Sequence, residues 1–170
     1  EAIKSIEHAH ALWSSLEEAG YDRGSALIGL GGGTVTDLTG FVASTYLRGL
    51  NYWLIPTTLL AMVDAAAGGK TGINLGGAKN RIGTFANPSG VSICPQFLST
   101  LPAREIKSGL AEHVKHLLIA HSPEEAFHRL SQLNVDEKLA DSDEFAPLIM
   151  ESIDIKENIV QQDPTEVTGT

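Results

Sequence analysis

Cysteine occurs once in the 170 residues, at Cys94. That excludes an internal disulfide and fits a reducing compartment, with the cytoplasm as the default. Long apolar runs are missing too. A stretch such as "LLAMV" falls far short of the ~20 residues a spanning helix needs, and the opening "EAIKSIEHAH" carries charge where a secretory leader would be apolar. Positive charge is scarce: 12 Lys and Arg stand against 21 Asp and Glu, for a net charge of −9. No basic run is present to neutralise a phosphodiester backbone. These absences argue against membrane and nucleic acid as partners and point to a soluble protein. An initiating methionine is also absent, and the chain closes on "TEVTGT" without a finishing element, so a fragment of a longer chain is expected.

What remains is ordinary globular material, 42% hydrophobic and 19% charged, enough for a sizeable core or parts of two. Residues 3–19 space Ile3, Ile6, Leu12, Trp13 and Leu16 at mostly helical intervals and stop at Gly20, suited to a left-handed cap. "SALIGL" reads as a buried strand running into "GGG" and a helix that ends at Gly49. "NYWLIP" reads as a second strand, and "TTLLAMVDAAAGG" as a further helix with Thr57 as N-cap. This alternation predicts a parallel sheet with helices packed on it. Residues 68–90 are rich in Gly, Lys and Asn and read as a loop or irregular hairpin. "VSIC" (91–94) is the last strand expected, and three helices follow at roughly 102–120, 122–132 and 144–162. The fold class is therefore α/β followed by all-α, divided into residues 1–97 and 98–170. No internal repeat is seen.

Three places carry candidate chemistry. Gly31-x-Gly33-x-x-Thr36 follows a strand and opens a helix, where glycines let a pyrophosphate approach the backbone and the free helix N–H groups favour its charge. A tight turn without a ligand accounts for the motif equally well, and Asp37 is readable as a charge complementing the helix dipole in the first turn. The glycine-rich loop gathers Asp64, Lys70, Lys79 and Asn80, donors suited to a phosphate or carboxylate, although exposed loops are commonly built of such residues. Arg48 ends the preceding helix and is readable as a partner of its C-terminal dipole. In "GLAEHVKHLL" Glu112, Lys115 and His116 share a helix face. Glu112 and His116 could supply two metal ligands. On spacing alone the preferred reading is a Glu112–Lys115 ion pair beside solvated histidines. Lys156 sits in "ESIDIKENIV", where a helical lysine is ordinarily exposed.

In order along the chain, "EAIKS", "LIGLGGGTVTDLTGFVASTYLRG", "IPTTLLAMVDAAAGGKTGIN", "KNRIGTF", "LPAREIKSGLAEHVKH" and "SIDIKENIVQQDP" resemble the 3-dehydroquinate synthase family of sugar phosphate cyclases. The resemblance implies a Rossmann-like NAD-binding part followed by the start of a helical metal-binding domain. It implies NAD and a divalent metal, zinc or cobalt, as cofactors, and a sugar phosphate as the small-molecule substrate in a homodimeric full-length enzyme. The reaction implied converts 3-deoxy-arabino-heptulosonate 7-phosphate to 3-dehydroquinate and phosphate, in the shikimate pathway of aromatic amino acid biosynthesis. Carried over by position, Glu1 and Lys4 contact the adenosine side of NAD, and Gly31, Gly32 and Asp37 its pyrophosphate and ribose. Thr57 and Thr58 are further NAD contacts, with Asp64 and Lys79 near the nicotinamide. Lys70, Asn80 and Arg48 position the substrate and its phosphate, Arg48 from its own or a neighbouring subunit. Glu112 is a metal ligand, Lys115 and Lys156 contact substrate hydroxyls, and His116 is a helix neighbour and not a ligand.

The sequence also departs from the family pattern. "VDAAAGGKTG" replaces "VDSSVGGKTG", His113 stands where an apolar residue is usual, and Leu117 stands where a small one is common. The family's strands before "GExxK" and its "GHTxGH" segment, preceded by a substrate-binding Arg, are not in these residues, so no turnover and weak metal binding are expected of the 170 residues alone. The alternatives are a valiolone or 2-deoxy-scyllo-inosose synthase, a more distant iron-type polyol dehydrogenase, or a nucleotide-binding remnant without catalysis.

Overall fold

The computed structural model describes residues 2–65, 68–132 and 145–162. The chain divides into two compact units, one of Glu1–Pro56 with Gly69–Ile93 and one of Thr57–Gly68 with Cys94–Thr170. Residues 57–68, read from the sequence as part of the first division, thus group with the helices that follow.

The first unit is built on a parallel three-stranded sheet in the order β1-β2-β5, from β1 (Ala26–Gly31), β2 (Asn51–Pro56) and β5 (Gly90–Val91). Register runs from Ala26 opposite Asn51 to Gly31 opposite Pro56. The last strand is shorter than the expected "VSIC": it pairs only Gly90 and Val91 with Trp53 and Leu54, and Ser92 adds a single bond to the Leu54 carbonyl. One sheet face packs on α2 (Gly33–Thr45), close enough that a Cβ on Gly29 would meet Thr39 Oγ1 at 2.6 Å. The alternate residues Ile28, Leu30 and Trp53 lie on the other face and are exposed.

Helix α1 (Ile6–Glu18) starts later than the periodicity suggested, because Ser5 accepts the His8 N–H as its cap. It ends as expected at Gly20, whose φ of +72° supports bonds from the Gly20 and Tyr21 N–H groups to the Glu17 and Leu16 carbonyls. Ala9, Leu38, Phe41, Val42 and Ile73 form the core, with Trp13 packed against it, its ring tilted on Phe41 at 6.0 Å between centroids. The glycine-rich stretch is an antiparallel hairpin, β3 (Lys70–Leu75) and β4 (Ala78–Phe85), with an irregularity between Ile73 and Leu75.

In the second unit the expected helix at 57–69 is helical from Leu59, with π geometry over Ala61–Ala65. Its cap is Thr58, not Thr57: Thr58 Oγ1 accepts the Ala61 N–H at 3.2 Å. A turn of 3-10 helix (Pro95–Thr100) leads to α3 (Ala103–Ala120), α4 (Pro123–Gln132) and α5 (Phe145–Gln162). Leu117, Ala126 and Ile155 meet at their shared core, joined by Leu130 and Ile159. Among the described residues no helix is long and apolar enough to cross a membrane.

Candidate active site

The candidate residues fall into two groups, one in each unit. In the first unit the glycine turn joins β1 to α2. A Cβ on Gly31 would sit 2.7 Å from the Val35 side chain, so only glycine fits there. Gly32 is the N-cap and brings no side chain to the helix end. The first N–H groups of α2 are therefore left without a side-chain cap, the arrangement an anionic pyrophosphate needs.

Lys4, only 5% exposed, lies between α2 and the hairpin. Its ammonium donates to Asp37 Oδ2 and to Asn80 Oδ1. This corrects the first-turn reading of Asp37. No acidic residue lies in the first turn of α2, and the Asp37 carboxylate answers Lys4 instead. Asn80 has φ +53°, and its N–H donates to Asn74 Oδ1 at 3.1 Å. Asn74 in turn donates its N–H to the Lys4 carbonyl at 2.9 Å.

Tyr52 is buried beside the same helix and donates to the Ala86 carbonyl. Burial, and after it the negative charge of Asp37, push its phenol up to about 12. Lys70 opens β3, and Lys79 adjoins Asn80 in β4; all three are exposed on the hairpin. Arg48 is exposed in a 3-10 turn after α2, with φ +66° following Leu47 at +49°. The guanidinium that bonds the carbonyl at this end is that of Arg23, donating to Leu47 O at 3.0 Å. Glu1 lies outside the described residues, as do the alanines at 66 and 67.

The second group is built on α3. Gly109 allows that helix to approach the turn after β2, since a Cβ there would meet Leu59 Cβ at 2.6 Å and Leu60 N at 2.7 Å. One turn along α3, Glu112 receives Lys115, the expected ion pair, and its Oε1 lies 3.5 Å from His116 Nε2. On α5 Lys156 is not the solvated lysine the sequence suggested: its ammonium donates to the Asp64 carboxylate and to the Asp64 carbonyl. Thr58 caps the turn that carries Asp64, and Thr57 is half-buried just before it.

The histidines are not solvated either. His113 is 0% and His116 3% exposed. His113 Nδ1 meets Ser152 Oγ at 2.7 Å, while His113 Nε2 and His116 Nδ1 have no hydrogen-bond partner among the described residues. Burial lowers the pKa of both imidazoles. The Glu151 charge opposes this at His113, and the Glu112 charge opposes it at His116. Burial thus favours the neutral ring, the form that can ligate a metal.

Asp64, Glu112 and His116 each bring one ligand atom within 4.8 Å of the others. Ligand atoms around a tetrahedral ion lie roughly 3.5 Å apart, because each is about 2.0–2.2 Å from it. A small side-chain adjustment closes the difference, so two carboxylates and a neutral imidazole fit a divalent cation. His116, set aside from the sequence, enters this group; the four-residue spacing from Glu112 was the available signal. Asp64 enters because the turn after β2 brings it to α3.

The family model of the 3-dehydroquinate synthase N-terminal domain matches residues 1–108. The 3-dehydroquinate synthase of Pyrococcus furiosus is 46% identical over 166 residues, 98% of this chain and 48% of that protein. Among solved structures, a 2-epi-5-epi-valiolone synthase from Streptomyces hygroscopicus with NAD+ and Zn2+ bound has a TM-score of 0.79 at 31% identity, over 98% of this chain and 47% of that one. A 2-deoxy-scyllo-inosose synthase complexed with carbaglucose-6-phosphate, NAD+ and Co2+ has a TM-score of 0.86 at 27% identity, over 98% and 46%. The chain spans about half the length of the curated relatives it matches. With a family model covering well over half of its residues, the chain belongs to the 3-dehydroquinate synthase family.

Proposed function

We propose that the protein is a 3-dehydroquinate synthase that converts 3-deoxy-arabino-heptulosonate 7-phosphate to 3-dehydroquinate and phosphate, using NAD and a divalent metal, zinc or cobalt. The observation that carries this reading is the convergence of Asp64, Glu112 and His116, with Lys115 and Lys156 on the two carboxylates, in a chain of this family. Bound NAD would supply reversible hydride removal from a ring hydroxyl, and a bound metal would polarise that hydroxyl.

The chain's own residues do the holding. The uncapped start of α2 with Gly31 and Gly32 takes the pyrophosphate, Lys4 pairs with Asp37 of that helix, and Thr57, Thr58, Asp64 and Lys79 complete the cofactor contacts, with Glu1 at the adenosine end. Glu112 binds the metal, with Asp64 and His116 converging on the same ion. Lys70, Asn80 and Arg48 position the sugar phosphate, and Lys115 and Lys156 balance charge that develops on its oxygens. In this reading residues 1–97 serve NAD and residues 98–170 begin the metal and substrate domain of a cytoplasmic homodimer. Substrate phosphate can itself accept the proton lost from carbon, so no protein base is required.

A second reading, another sugar phosphate cyclase, is favoured by the fold similarity to the valiolone and 2-deoxy-scyllo-inosose synthases. Phosphate release by the full-length protein, supplied with NAD and zinc, separates the two. Release from the heptulosonate phosphate and none from sedoheptulose 7-phosphate is expected. Release from the second substrate alone overturns the assignment.

A further inference from the structure

We propose that Lys4 is a positioning residue for Asn80, fixing its amide so that the hairpin presents a nitrogen donor to an oxygen of the bound sugar phosphate. The inference deepens the reading of Asn80 given above and rests on it.

The argument starts from donor chemistry. A lysine ammonium has three N–H groups and no acceptor, so the Asn80 atom it touches must be the amide oxygen. An amide whose oxygen is held on one side turns its NH2 to the other, and Asn80 lies on the exposed surface of the hairpin while Lys4 is buried beneath it. Without this contact the amide of an exposed Asn could turn over and offer its oxygen, which would repel a phosphate or hydroxyl lone pair. Lys4 therefore settles which of two chemically opposite groups faces outward.

The backbone around Asn80 supports the same role. Its φ of +53° lies in the left-handed region, which Asn tolerates better than most residues but which still stores local strain. A closed ring holds it there: Lys4 Nζ to the Asn80 side chain, Asn80 N–H to Asn74 Oδ1, and Asn74 N–H to the Lys4 carbonyl. The ring ties the segment before α1 to both strands of the hairpin, and through Asp37 the same ammonium reaches α2. One buried cation thus aligns a donor on the hairpin with the helix that follows the glycine turn. A buried lysine needs partners in any case. Asp37 balances its charge, and a further donor, placed on Asn80 Oδ1, is what specifies the amide.

The test is a double-mutant cycle in the full-length protein carrying NAD and zinc, with Lys4→Met, Asn80→Ala and the double variant. Affinity for the heptulosonate phosphate is read by calorimetry and NAD affinity is measured separately. Lys4→Met alone is expected to weaken sugar phosphate binding about 10-fold and Asn80→Ala by a similar factor, with the double variant no weaker than Asn80→Ala. Lys4→Arg, which keeps a donor, is expected to recover most of the loss. An undiminished effect of Lys4→Met in the Asn80→Ala background, or an effect confined to NAD affinity, overturns the inference and leaves the proposed function standing. Failure of the unsubstituted protein to bind the sugar phosphate overturns both.

Discussion

Single side chains in this chain act through the partners they keep. Glu112 is held between Lys115 and His116, so Glu112→Gln removes one negative charge from the candidate metal group without changing its shape. Zinc affinity of the full-length protein, followed by calorimetry, is expected to fall by at least the roughly 10–100-fold that loss of a mere supporting group produces. His113 and Ser152 form a buried pair. Ser152→Ala strands an imidazole nitrogen and is expected to cost about 1–3 kcal/mol of stability by chemical denaturation. The double variant His113→Leu with Ser152→Ala removes both polar groups and is expected to restore most of that stability. Equal loss in the two variants would mean that the pair specifies packing and not polarity. The same local logic explains which residue readings changed. Asp37, Lys156 and His113 looked solvent-facing or dipole-linked because their partners are distant in sequence: Lys4 lies 33 residues from Asp37, Ser152 lies 39 from His113, and Asp64 lies 92 from Lys156.

At the level of elements, the second group depends on how closely α3 approaches the turn at Leu59 and Leu60. Gly109 is the contact point, and the atoms a methyl would meet include backbone. Gly109→Ala is expected to lower stability by about 1–3 kcal/mol and, by moving Glu112 away from Asp64, to weaken zinc binding as well. A variant with lowered stability and unchanged zinc affinity would show that Asp64 and Glu112 do not need each other for the metal. The turn that carries Asp64 has π geometry over Ala61–Ala65, a local irregularity often found at functional sites. The periodicity of "TTLLAMVDAAAGG" marked a helix and gave no sign of the π geometry within it. The strand read at "VSIC" was overestimated, since strand-favouring residues do not mark where ladder pairing stops, and here Val91 and Ser92 are exposed.

For the molecule as a whole, the acid–base behaviour of a buried phenol gives a global readout. Tyr52, held up to about 12 by burial and Asp37, is protonated in the folded chain at a pH where the unfolded chain has begun to ionise near 10. Its contribution to stability is complete below pH 10 and is lost as pH rises toward 12, a change on the order of 3 kcal/mol. Denaturation midpoints measured from pH 9 to 12 are expected to fall more steeply for the unsubstituted protein than for Tyr52→Phe. Parallel profiles would remove Tyr52 from the account. Sequence alone determined the alternation of strands and helices, the glycine turn at Gly31–Gly33, the left-handed end at Gly20 and the three later helices, because each is written in local periodicity or in one residue's backbone preference. It also carried the family resemblance, because the motif blocks are local and ordered. Tertiary structure alone decided that Lys4 is buried against Asp37 and Asn80, that Lys156 answers Asp64, and that His116 stands with Asp64 and Glu112. Each of these joins residues from elements far apart along the chain, and burial lets a charge persist only where such a partner meets it.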